Sequence, residues 1–356
     1  MSNSVPLFNP RWEFEACEEE ILFAFRRVAA SGTYLNGDEC RRFESTLSEF
    51  CAAPYAVSVS SGTTALELLL RADNAGHDTR VVTTAHTFAA VLEAILAVHA
   101  EPHFVDIDPR TWQMSIGHWP DDSVIVCHLY GGISEAVNSS ARLLYEDASQ
   151  SFGGTLNGRP LGTIARAGAV SLYPTKNLSA LGDAGVILTR DEELAAKLRA
   201  LRNHGQTRPQ VHDYCGTTGR LDEVQAAVLS EKLKHFNRFL AARRRAAHFY
   251  REHLGDLPLR FPTETPEGVA APNLFVIRTE ARDELQQYLR ARGIGTGIHY
   301  PTPLHRMPAY RDYAWAQVSL PHTEKLCAEI LSLPLWAGMT SEHQGQVVNA
   351  VRAFFG

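Results

Sequence analysis

The amino-acid sequence predicts an α/β protein with a large domain built on a mostly parallel sheet and a smaller C-terminal domain. In the first part of the chain, short apolar segments typical of strands alternate with segments of helical periodicity, which favours a parallel sheet with helical crossovers. After a long helical segment the alternation stops. The 356 residues suffice for two packed units, since domains usually hold roughly 100 to 200 residues. We expect a large domain over residues 1–240, including N-terminal helices, and a small α+β domain over residues 241–356.

The elements of the large domain follow from hydrophobic periodicity and from stop signals. Apolar residues at helical spacing predict a helix from Phe14 to Ala30, which Ser31-Gly32 ends, and a second helix from Glu39 to Cys51. Strands are predicted at residues 57–60, 80–83, 103–105, 123–127, 143–147, 169–172 and 185–189, and helices at residues 60–70, 85–98 and 191–203.

The C-terminal part begins with a long helix. Its periodic pattern starts at Val224 and continues to Leu254, a length that suits a link between two domains. We predict the remaining elements as a strand at residues 270–277, a helix at 281–292, a glycine-rich strand at 293–298, helices at 322–331 and 341–354, and an extended segment at 331–335.

Composition excludes several classes of partner. The net charge of −6 provides no basic surface for nucleic acid, and no run of Lys or Arg indicates a membrane surface. No segment approaches the ~20 apolar residues of a membrane helix, and residues 1–11 lack the pattern of a signal peptide. The six cysteines include no Cys-x-x-Cys pair, which favours reduced thiols over disulfides or a zinc site. We therefore expect a cytoplasmic protein with small-molecule partners.

Two residues at strand ends indicate pyridoxal phosphate chemistry. Asp147 ends one apolar strand, at the edge where open α/β sheets place their ligands. Lys176 follows the next strand in a Pro-containing loop, whereas the other four lysines (Lys197, Lys232, Lys234 and Lys325) lie in amphipathic helical patterns. A lysine can form a Schiff base with the cofactor aldehyde, and a carboxylate can keep the pyridine nitrogen protonated. Each residue alone would be ordinary, Asp147 as a turn residue and Lys176 as a surface lysine.

The turn before the helix at residues 60–70 is a candidate phosphate site. Backbone N–H groups at a helix start, here those of Gly62 and Thr63, can bind a phosphate in the positive field of the helix dipole. The same Ser-Gly-Thr sequence is also typical of an ordinary N-cap. Phe88 begins the next predicted helix at the same level, where it could stack on a cofactor ring or simply pack in the core.

Taken together and in this order, the motifs resemble the DegT/DnrJ/StrS family of sugar aminotransferases, within the fold type I class of pyridoxal phosphate enzymes that includes aspartate aminotransferase. The resemblance covers essentially the whole chain. The motifs are Ser31-Gly32-Thr33-Tyr34-Leu35-Asn36-Gly37, Ser60-Ser61-Gly62-Thr63-Thr64-Ala65-Leu66, His86-Thr87-Phe88, Phe104-Val105-Asp106-Ile107-Asp108, Tyr145-Glu146-Asp147-Ala148-Ser149-Gln150, Ser171-Leu172-Tyr173-Pro174-Thr175-Lys176-Asn177, Arg220-Leu221-Asp222-Glu223-Val224-Gln225-Ala226-Ala227 and Gly297-Ile298-His299-Tyr300-Pro301-Thr302-Pro303-Leu304-His305.

The resemblance implies a role for each matching residue at the cofactor ring. Lys176 would bind the cofactor covalently and shuttle the proton, and Asp147 would pair with the pyridine nitrogen. Gln150 would approach the ring hydroxyl, and Phe88 would stack over the ring.

The resemblance also implies a phosphate site completed by a second subunit. Gly62, Thr63 and Ser171 would bind the phosphate, together with a residue from the segment 216–220 of the partner in a homodimer. In this segment the chain departs from the family, since Thr218 stands where Asn is usual and its hydroxyl has a shorter reach. Two further departures are an abbreviated crossover between Gly131 and Arg142, which predicts a helix of one or two turns at most, and a shortened segment after Tyr310.

The implied reaction is a two-step transamination. An amino acid, by resemblance L-glutamate, would leave its amine on the cofactor, and a nucleotide-activated keto-deoxysugar, a dTDP-3-keto or dTDP-4-keto 6-deoxyhexose, would then accept it. We assign His299, Tyr300, His305 and Arg220 as candidate sugar-nucleotide contacts. The two histidines stand beside prolines and could equally be packing residues, and they lack the third ligand of a metal site.

Three alternatives stay open from the sequence. Dehydratases of this family have histidine in place of the lysine, so Lys176 favours transamination. Relatives that act on a cyclitol or an aminobenzoate precursor keep the same lysine. A catalytically silent regulatory homologue is a third reading, which the intact set of Asp147, Gln150, Ser171 and Lys176 makes less favourable.

Overall fold

A seven-stranded sheet forms the centre of the computed structural model, which describes residues 4–356. The strands in chain order are β1 (Tyr55–Val59), β2 (Arg80–Thr84), β3 (Glu101–Val105), β4 (His118–Cys127), β5 (Ser140–Asp147), β6 (Thr155–Leu156), β7 (Arg159–Pro160), β8 (Ala167–Ser171), β9 (Gly185–Thr189), β10 (Gln206–Arg208), β11 (Val211–His212), β12 (Gly268–Val269), β13 (Phe275–Arg278) and β14 (Ile330–Leu333). The central sheet has the order β1-β9-β8-β5-β4-β2-β3, and β9 is its single antiparallel strand. The predicted α/β class and the mostly parallel sheet are therefore confirmed.

Helices cover the central sheet and build the C-terminal part. They are α1 (Pro10–Glu15), α2 (Glu18–Ser31), α3 (Asp38–Phe50), α4 (Gly62–Ala72), α5 (Ala89–Ala97), α6 (Glu192–Leu201), α7 (Glu223–Leu254), α8 (Arg282–Arg290), α9 (Pro321–Glu329) and α10 (Ser341–Phe355). No helix among residues 4–356 is both long and apolar enough to cross a membrane.

The first predicted helix is in fact two helices. The chain changes direction at Cys17, a buried residue with non-helical dihedral angles that precedes α2. The break lets α1 bury the carboxylate of Glu13 while α2 buries an apolar stripe that includes Ile21 and Val28. A single straight helix could not direct both faces toward the protein interior.

Two further predicted elements differ in extent. The helix expected from Ala85 begins at Ala89, because residues 85–87 form a bend and Phe88 is an N-cap with extended dihedral angles. The glycine-rich strand expected at residues 293–298 forms no ladder. It makes isolated bridges to two different neighbours, from Ile294 to Val5 and from Gly297 to Ser332.

The abbreviated crossover is as short as predicted. Between β4 and β5, a single turn of 3₁₀ helix at Glu135–Asn138 replaces the α-helix that such connections usually contain. The parallel register of β4 and β5 is nevertheless complete at the carboxyl end, where Cys127 pairs with Asp147.

The 32-residue helix α7 joins the two halves of the molecule. Its N-terminal half packs under the central sheet through Leu229 and Phe236, and its C-terminal half contributes Tyr250 to a separate core with β13, β14, α8 and α10. The helix passes without interruption through residue 240, so the domain boundary at that position stays a prediction.

Candidate active site

A cavity of about 350 Å³ opens at the carboxyl edge of the central sheet. Ligand pockets usually measure roughly 300 to 1,000 Å³, so the cavity can admit a small molecule. The structure brings nine of the predicted site residues together around it: Gly62, Thr63, Phe88, Asp147, Gln150, Ser171, Lys176, His299 and Tyr300.

One end of the cavity is formed by the start of α4. The N-cap residue Ser61 accepts a hydrogen bond from the backbone N–H of Thr64 at 3.0 Å, as the sequence predicts for a cap. The backbone N–H groups of Gly62 and Thr63 have no acceptor among residues 4–356. They lie in the positive field of the helix dipole, which makes this end of the cavity suitable for an anion.

Gly62 is required here by a close approach. A Cβ atom at this position would lie 2.7 Å from the Cβ of Ser171, which ends β8. The contact brings the start of α4 and the end of β8 side by side, so that the hydroxyl of Ser171 and the free N–H groups lie at the same end of the cavity.

The loop that follows β8 is held from several directions. Its turn is closed by a hydrogen bond from the N–H of Lys176 to the carbonyl of Tyr173, at 2.8 Å. The buried side chain of Asn177 donates to the carbonyl of Ala271 at 2.9 Å, and Asn273 donates to the carbonyl of Thr175 at 2.8 Å. The contacts from residues 271 and 273 fix the position of the Lys176 backbone.

The amine of Lys176 is free for chemistry. It has neither a hydrogen bond nor an ion pair with any residue in the described range 4–356. Desolvation lowers the pKa of Lys176, although the negative charge of Asp147 opposes the shift. A lysine with a lowered pKa in a cavity is more often neutral near pH 7 and therefore a better nucleophile and base.

Asp147 directs one carboxylate oxygen into the structure and leaves the other for a ligand. Its Oδ1 accepts a hydrogen bond from the N–H of Ser149 at 3.0 Å, and the hydroxyl of Ser149 accepts from the N–H of Ser171 at 2.8 Å. The end of β5 is thereby tied to the end of β8. The charge of Asp147 also acts across the site. Burial is the main cause that raises the pKa of Tyr300, and the negative charge of Asp147 is the second.

Gln150 connects two walls of the cavity. Its Oε1 accepts from the N–H of Tyr130 at 2.9 Å, and its Nε2 donates to the hydroxyl of Tyr300 at 3.0 Å. The second hydrogen on Nε2 stays available to a ligand.

Aromatic rings form the mouth of the cavity. Phe88 is 55% exposed, and its ring centroid lies 5.8 Å from that of Tyr300. An exposed phenylalanine next to a cavity contradicts the core-packing alternative. Burial, with the Lys176 charge as a second cause, lowers the pKa of His299 to about 4, so the imidazole is neutral at pH 7. Its Nδ1 lies 2.8 Å from the hydroxyl of Ser332.

Three predicted site residues lie elsewhere in this chain. His305 belongs to a 3₁₀ turn and is fully buried; its Nε2 lies 3.0 Å from a carboxylate oxygen of Glu324, and it does not line the cavity. Thr218 and Arg220 lie in the loop before α7. The Oγ1 of Thr218 lies 3.2 Å from the Nε2 of His204, and the Nη1 of Arg220 donates to the Oδ1 of Asn203 at 2.8 Å. The prediction that this loop reaches a partner's site stays a prediction, because the structure holds one chain.

Sequence reasoning missed several residues that line the cavity. Ser149 lies within the motif at residues 145–150, and its position between Asp147 and Gln150 could have indicated a structural role. Asn273 and Asp183 also line the cavity, but neither belongs to a residue pattern that indicates a ligand. Asn273 reaches the lysine loop only through the packing of distant segments.

The residues present fit pyridoxal phosphate. The free N–H groups of α4 and the hydroxyl of Ser171 suit a phosphate, and the unpaired amine of Lys176 suits an aldehyde. The carboxylate of Asp147 suits a protonated ring nitrogen. Among residues 4–356, no group of three or more His, Cys, Asp or Glu is placed to hold a metal ion.

Comparison with known proteins identifies relatives over almost the whole chain. Residues 15–352 match the model of the DegT/DnrJ/EryC1/StrS aminotransferase family. A protein of Geobacillus stearothermophilus named "Pleiotropic regulatory protein" is 34% identical, with 99% of both chains covered. The dTDP-3-amino-3,4,6-trideoxy-alpha-D-glucose transaminase of Streptomyces venezuelae is 36% identical, with 98% of this chain and 95% of the relative covered.

The fold has equally similar solved structures. The X-ray structure of S. venezuelae DesV in complex with a ketimine intermediate superimposes with a TM-score of 0.94 at 36% identity, covering 99% of this chain and 98% of DesV. The predicted fold type I architecture is therefore confirmed. Other relatives are named as aminotransferases of UDP-activated sugars, so the relatives do not share one nucleotide.

Proposed function

Because the chain belongs to the DegT/DnrJ/EryC1/StrS aminotransferase family, we propose that it uses pyridoxal phosphate to move an amino group from L-glutamate to a 3-keto deoxysugar carried on dTDP. One observation supports the proposal most strongly. The partner-free amine of Lys176 shares a cavity with the carboxylate of Asp147, and the free N–H groups of α4 lie at one end of that cavity.

The bound cofactor would supply an electron sink that stabilises negative charge on the carbon next to the amine. Lys176 would hold the cofactor covalently and, once released, its Nζ would take up a proton as general base and return it as general acid; its lowered pKa favours this exchange. Asp147 would hold a proton on the ring nitrogen, and Ser149 keeps the carboxylate in place for this.

The remaining contacts orient the ring and its phosphate. The N–H groups of Gly62 and Thr63 and the hydroxyl of Ser171 would bind the phosphate, and Phe88 would cover one face of the ring. Gln150 would donate its second Nε2 hydrogen to the ring hydroxyl, since the first is donated to Tyr300.

The sugar nucleotide requires positive charge that one chain does not supply. Lys176 is the only Lys or Arg among the described residues lining the cavity, which also contains Asp147 and Asp183. A diphosphate would therefore need cations from a second copy, and Arg220 of the 216–220 segment is our candidate, with Thr218 beside the cofactor phosphate. Phe88 and Tyr173, which are 55% and 50% exposed at the cavity, provide apolar surface for that copy to cover.

Amination at C3 is supported by the names of the relatives. The similar transaminases are named for 3-amino sugars on dTDP or for 3-keto sugars on UDP. His299 and Tyr300 lie at the cavity and are our candidates for contacts with the sugar.

The test of the substrate is a direct competition. The purified protein with pyridoxal phosphate is incubated with ¹⁵N-labelled L-glutamate and an equimolar mixture of dTDP-3-keto-6-deoxyhexose, dTDP-4-keto-6-deoxyhexose and a UDP-3-keto sugar. We expect the ¹⁵N label, followed by mass spectrometry, in the dTDP-3-amino product. Labelling of the 4-amino product or the UDP sugar instead would contradict the assignment of the acceptor, and labelling of none would contradict transamination of sugars.

A regulatory role is the second candidate, and the name of the Geobacillus relative favours it. A silent homologue has no need for an unpaired lysine with a lowered pKa beside a carboxylate. The cavity of this chain keeps both Lys176 and Asp147, so the structure is better suited to an enzyme.

A further inference from the structure

A second cavity, of about 320 Å³, lies behind the wall of the candidate active site. Leu129 and Leu274 line both cavities and separate them. The second cavity lies between α7 and the segments 262–276 and 129–133, so both halves of the molecule contribute to it. We call it the α7 cavity.

One face of α7 supplies basic side chains to this cavity. Arg244, His248 and Arg251 all line it, and their spacing of four and three residues places them on the same side of the helix. The hydroxyl-bearing residues Thr111 and Thr263 lie among the other lining residues.

The positive charge in the α7 cavity is not fully neutralised. Arg244 has no acidic partner in the described part of the chain. Its Nε donates to the carbonyl of Ala270 at 2.8 Å and its Nη2 to that of Gly153 at 3.1 Å, while its Nη1 stays free. Burial also lowers the pKa of Arg244, which is the cost of a guanidinium without a counter-charge.

A single carboxylate faces the two arginines. Glu264 is the only acidic residue among the described lining residues, and its Oε1 lies 3.2 Å from the Nε of Arg251. The Glu264 side chain is 67% exposed, so it can move into solvent at little cost. The cavity thus has a surplus of guanidinium groups and one weakly held anion that a ligand could replace.

We propose that the α7 cavity binds a small oxyanion, of the size of a dicarboxylate or a phosphate. Guanidinium groups suit carboxylate and phosphate oxygens because they donate in a planar fork, and burial strengthens such charge-assisted bonds. The volume of about 320 Å³ accommodates an anion of this size.

The site has a structural connection to the active site. Gln113 lines the α7 cavity and holds the backbone of Leu129 on both sides, accepting from its N–H at 3.0 Å and donating to its carbonyl at 3.2 Å. The next residue, Tyr130, donates its N–H to Gln150 at 2.9 Å. An anion that orders this wall from behind would therefore act on the segment that positions Gln150.

The test titrates inorganic phosphate and glutarate separately into the cofactor-loaded protein by isothermal titration calorimetry, with chloride keeping the ionic strength constant. The loaded protein is used so that the cofactor's phosphate already fills the start of α4. We expect one site per chain for at least one probe. Whichever of the two binds more tightly identifies the source of the oxyanion as phosphate or dicarboxylate.

Four variants locate the binding. Arg251→Gln and Arg244→Gln should each weaken it at least about tenfold, the loss expected for one charge-assisted contact. Glu264→Gln removes the competing carboxylate and should tighten it. Arg245→Gln, an exposed arginine on the same helix that does not line the cavity, is the matched control and should bind like the wild type.

Two results would overturn the proposal. One is that neither probe binds. The other is that Arg251→Gln and Glu264→Gln bind like the wild type, which would place the anion in the active site or on the general surface. Arg251 and Glu264 decide the test even if Arg244→Gln fails to fold, because the Arg244 contacts to two carbonyls also have a structural role.

Discussion

The side-chain nitrogen of Gln150 lies 3.0 Å from the hydroxyl of Tyr300 and donates a hydrogen bond to it. Gln150 follows β5 of the central sheet, whereas Tyr300 belongs to the C-terminal part of the chain. A second hydrogen bond joins the same two parts of the chain: the hydroxyl of Tyr130 donates to the carbonyl of His299 at 2.6 Å. The residues proposed to contact the sugar are thereby fixed to the residues proposed to hold the cofactor.

Loss of the Tyr130 hydroxyl should loosen this connection. In Tyr130→Phe, the carbonyl of His299 and the buried Nε2 of His86 both lose their partner. We expect a loss of about 1 to 3 kcal/mol in the free energy of unfolding and a rise in KM for the sugar.

Chemical denaturation and steady-state kinetics measure the two effects. The control is Tyr313→Phe, which removes the hydroxyl of a tyrosine that is 51% exposed and takes no part in these hydrogen bonds. Equal stability and equal KM in the two variants would show that the Tyr130 hydroxyl does not position the segment.

The substitution Asp147→Asn should reduce the rate of the reaction much more than the affinity for the cofactor. The amide oxygen of Asn can still accept from the N–H of Ser149, but the side chain has no charge to keep a ring nitrogen protonated. We expect the rate to fall by a factor on the order of 10² to 10⁴ with a much smaller change in the Kd of the cofactor. An unchanged kcat would refute the role of this carboxylate in the reaction.

A buried ionic cluster should make stability dependent on Glu13. Its carboxylate lies 2.9 Å from the Nζ of Lys232 and 3.2 Å from a guanidinium nitrogen of Arg243, and all three side chains are buried. Glu13→Gln leaves two buried cations without a counter-charge, so the free energy of unfolding should fall by about 3 to 5 kcal/mol. Glu15→Gln, on the same helix but with an exposed side chain, should cost little.

The Glu13 effect has a definite pH dependence. Burial alone would raise the pKa of Glu13, but Lys232 and Arg243 outweigh it, and the pKa lies below the ordinary value of 4.5. The stabilisation is therefore complete above pH 4.5 and lost as the pH falls through the lowered pKa. Unfolding of the wild type and of Glu13→Gln should converge in acid, and a constant difference down to low pH would contradict the assignment.

Mixed dimers test the contribution of a second subunit. Lys176→Ala and Arg220→Ala should each have little activity alone. Randomly mixed after denaturation and refolding, they should recover about a quarter of the wild-type activity, because half of the dimers contain both variants and each has one intact site. Absence of recovery would show that Arg220 acts within its own chain, and Arg220→Lys tests whether charge alone suffices.

Much of the site was predictable because its residues lie in short motifs at strand ends. Asp147 ends β5 and Lys176 follows β8, and the parallel sheet brings those strand ends together at one edge. The start of α4 was predictable for the same reason. The hydrogen bond from Asn273 to the lysine loop and the pairing of His86 with Tyr130 could not be predicted, because they depend on how segments far apart in the sequence pack.

His305 shows why adjacency in a motif is a weak guide. It lies only five residues after Tyr300, but the 3₁₀ turn at Leu304–Arg306 directs its side chain into the protein, toward Phe104 and Glu324. The glycine-rich segment 293–298 misled for a related reason. The segment begins in a turn at Gly293 and makes only isolated bridges, to Val5 and to Ser332, which depend on tertiary contacts.

The most direct measurement is the visible absorption spectrum of the purified protein with pyridoxal phosphate, before and after L-glutamate, in the wild type and in Lys176→Ala. We predict a yellow band in the wild type that L-glutamate bleaches, and no covalent band in a folded Lys176→Ala variant. A bleachable band that persists in Lys176→Ala would contradict the role of this lysine. No band in the wild type would contradict the enzyme and favour a regulatory function.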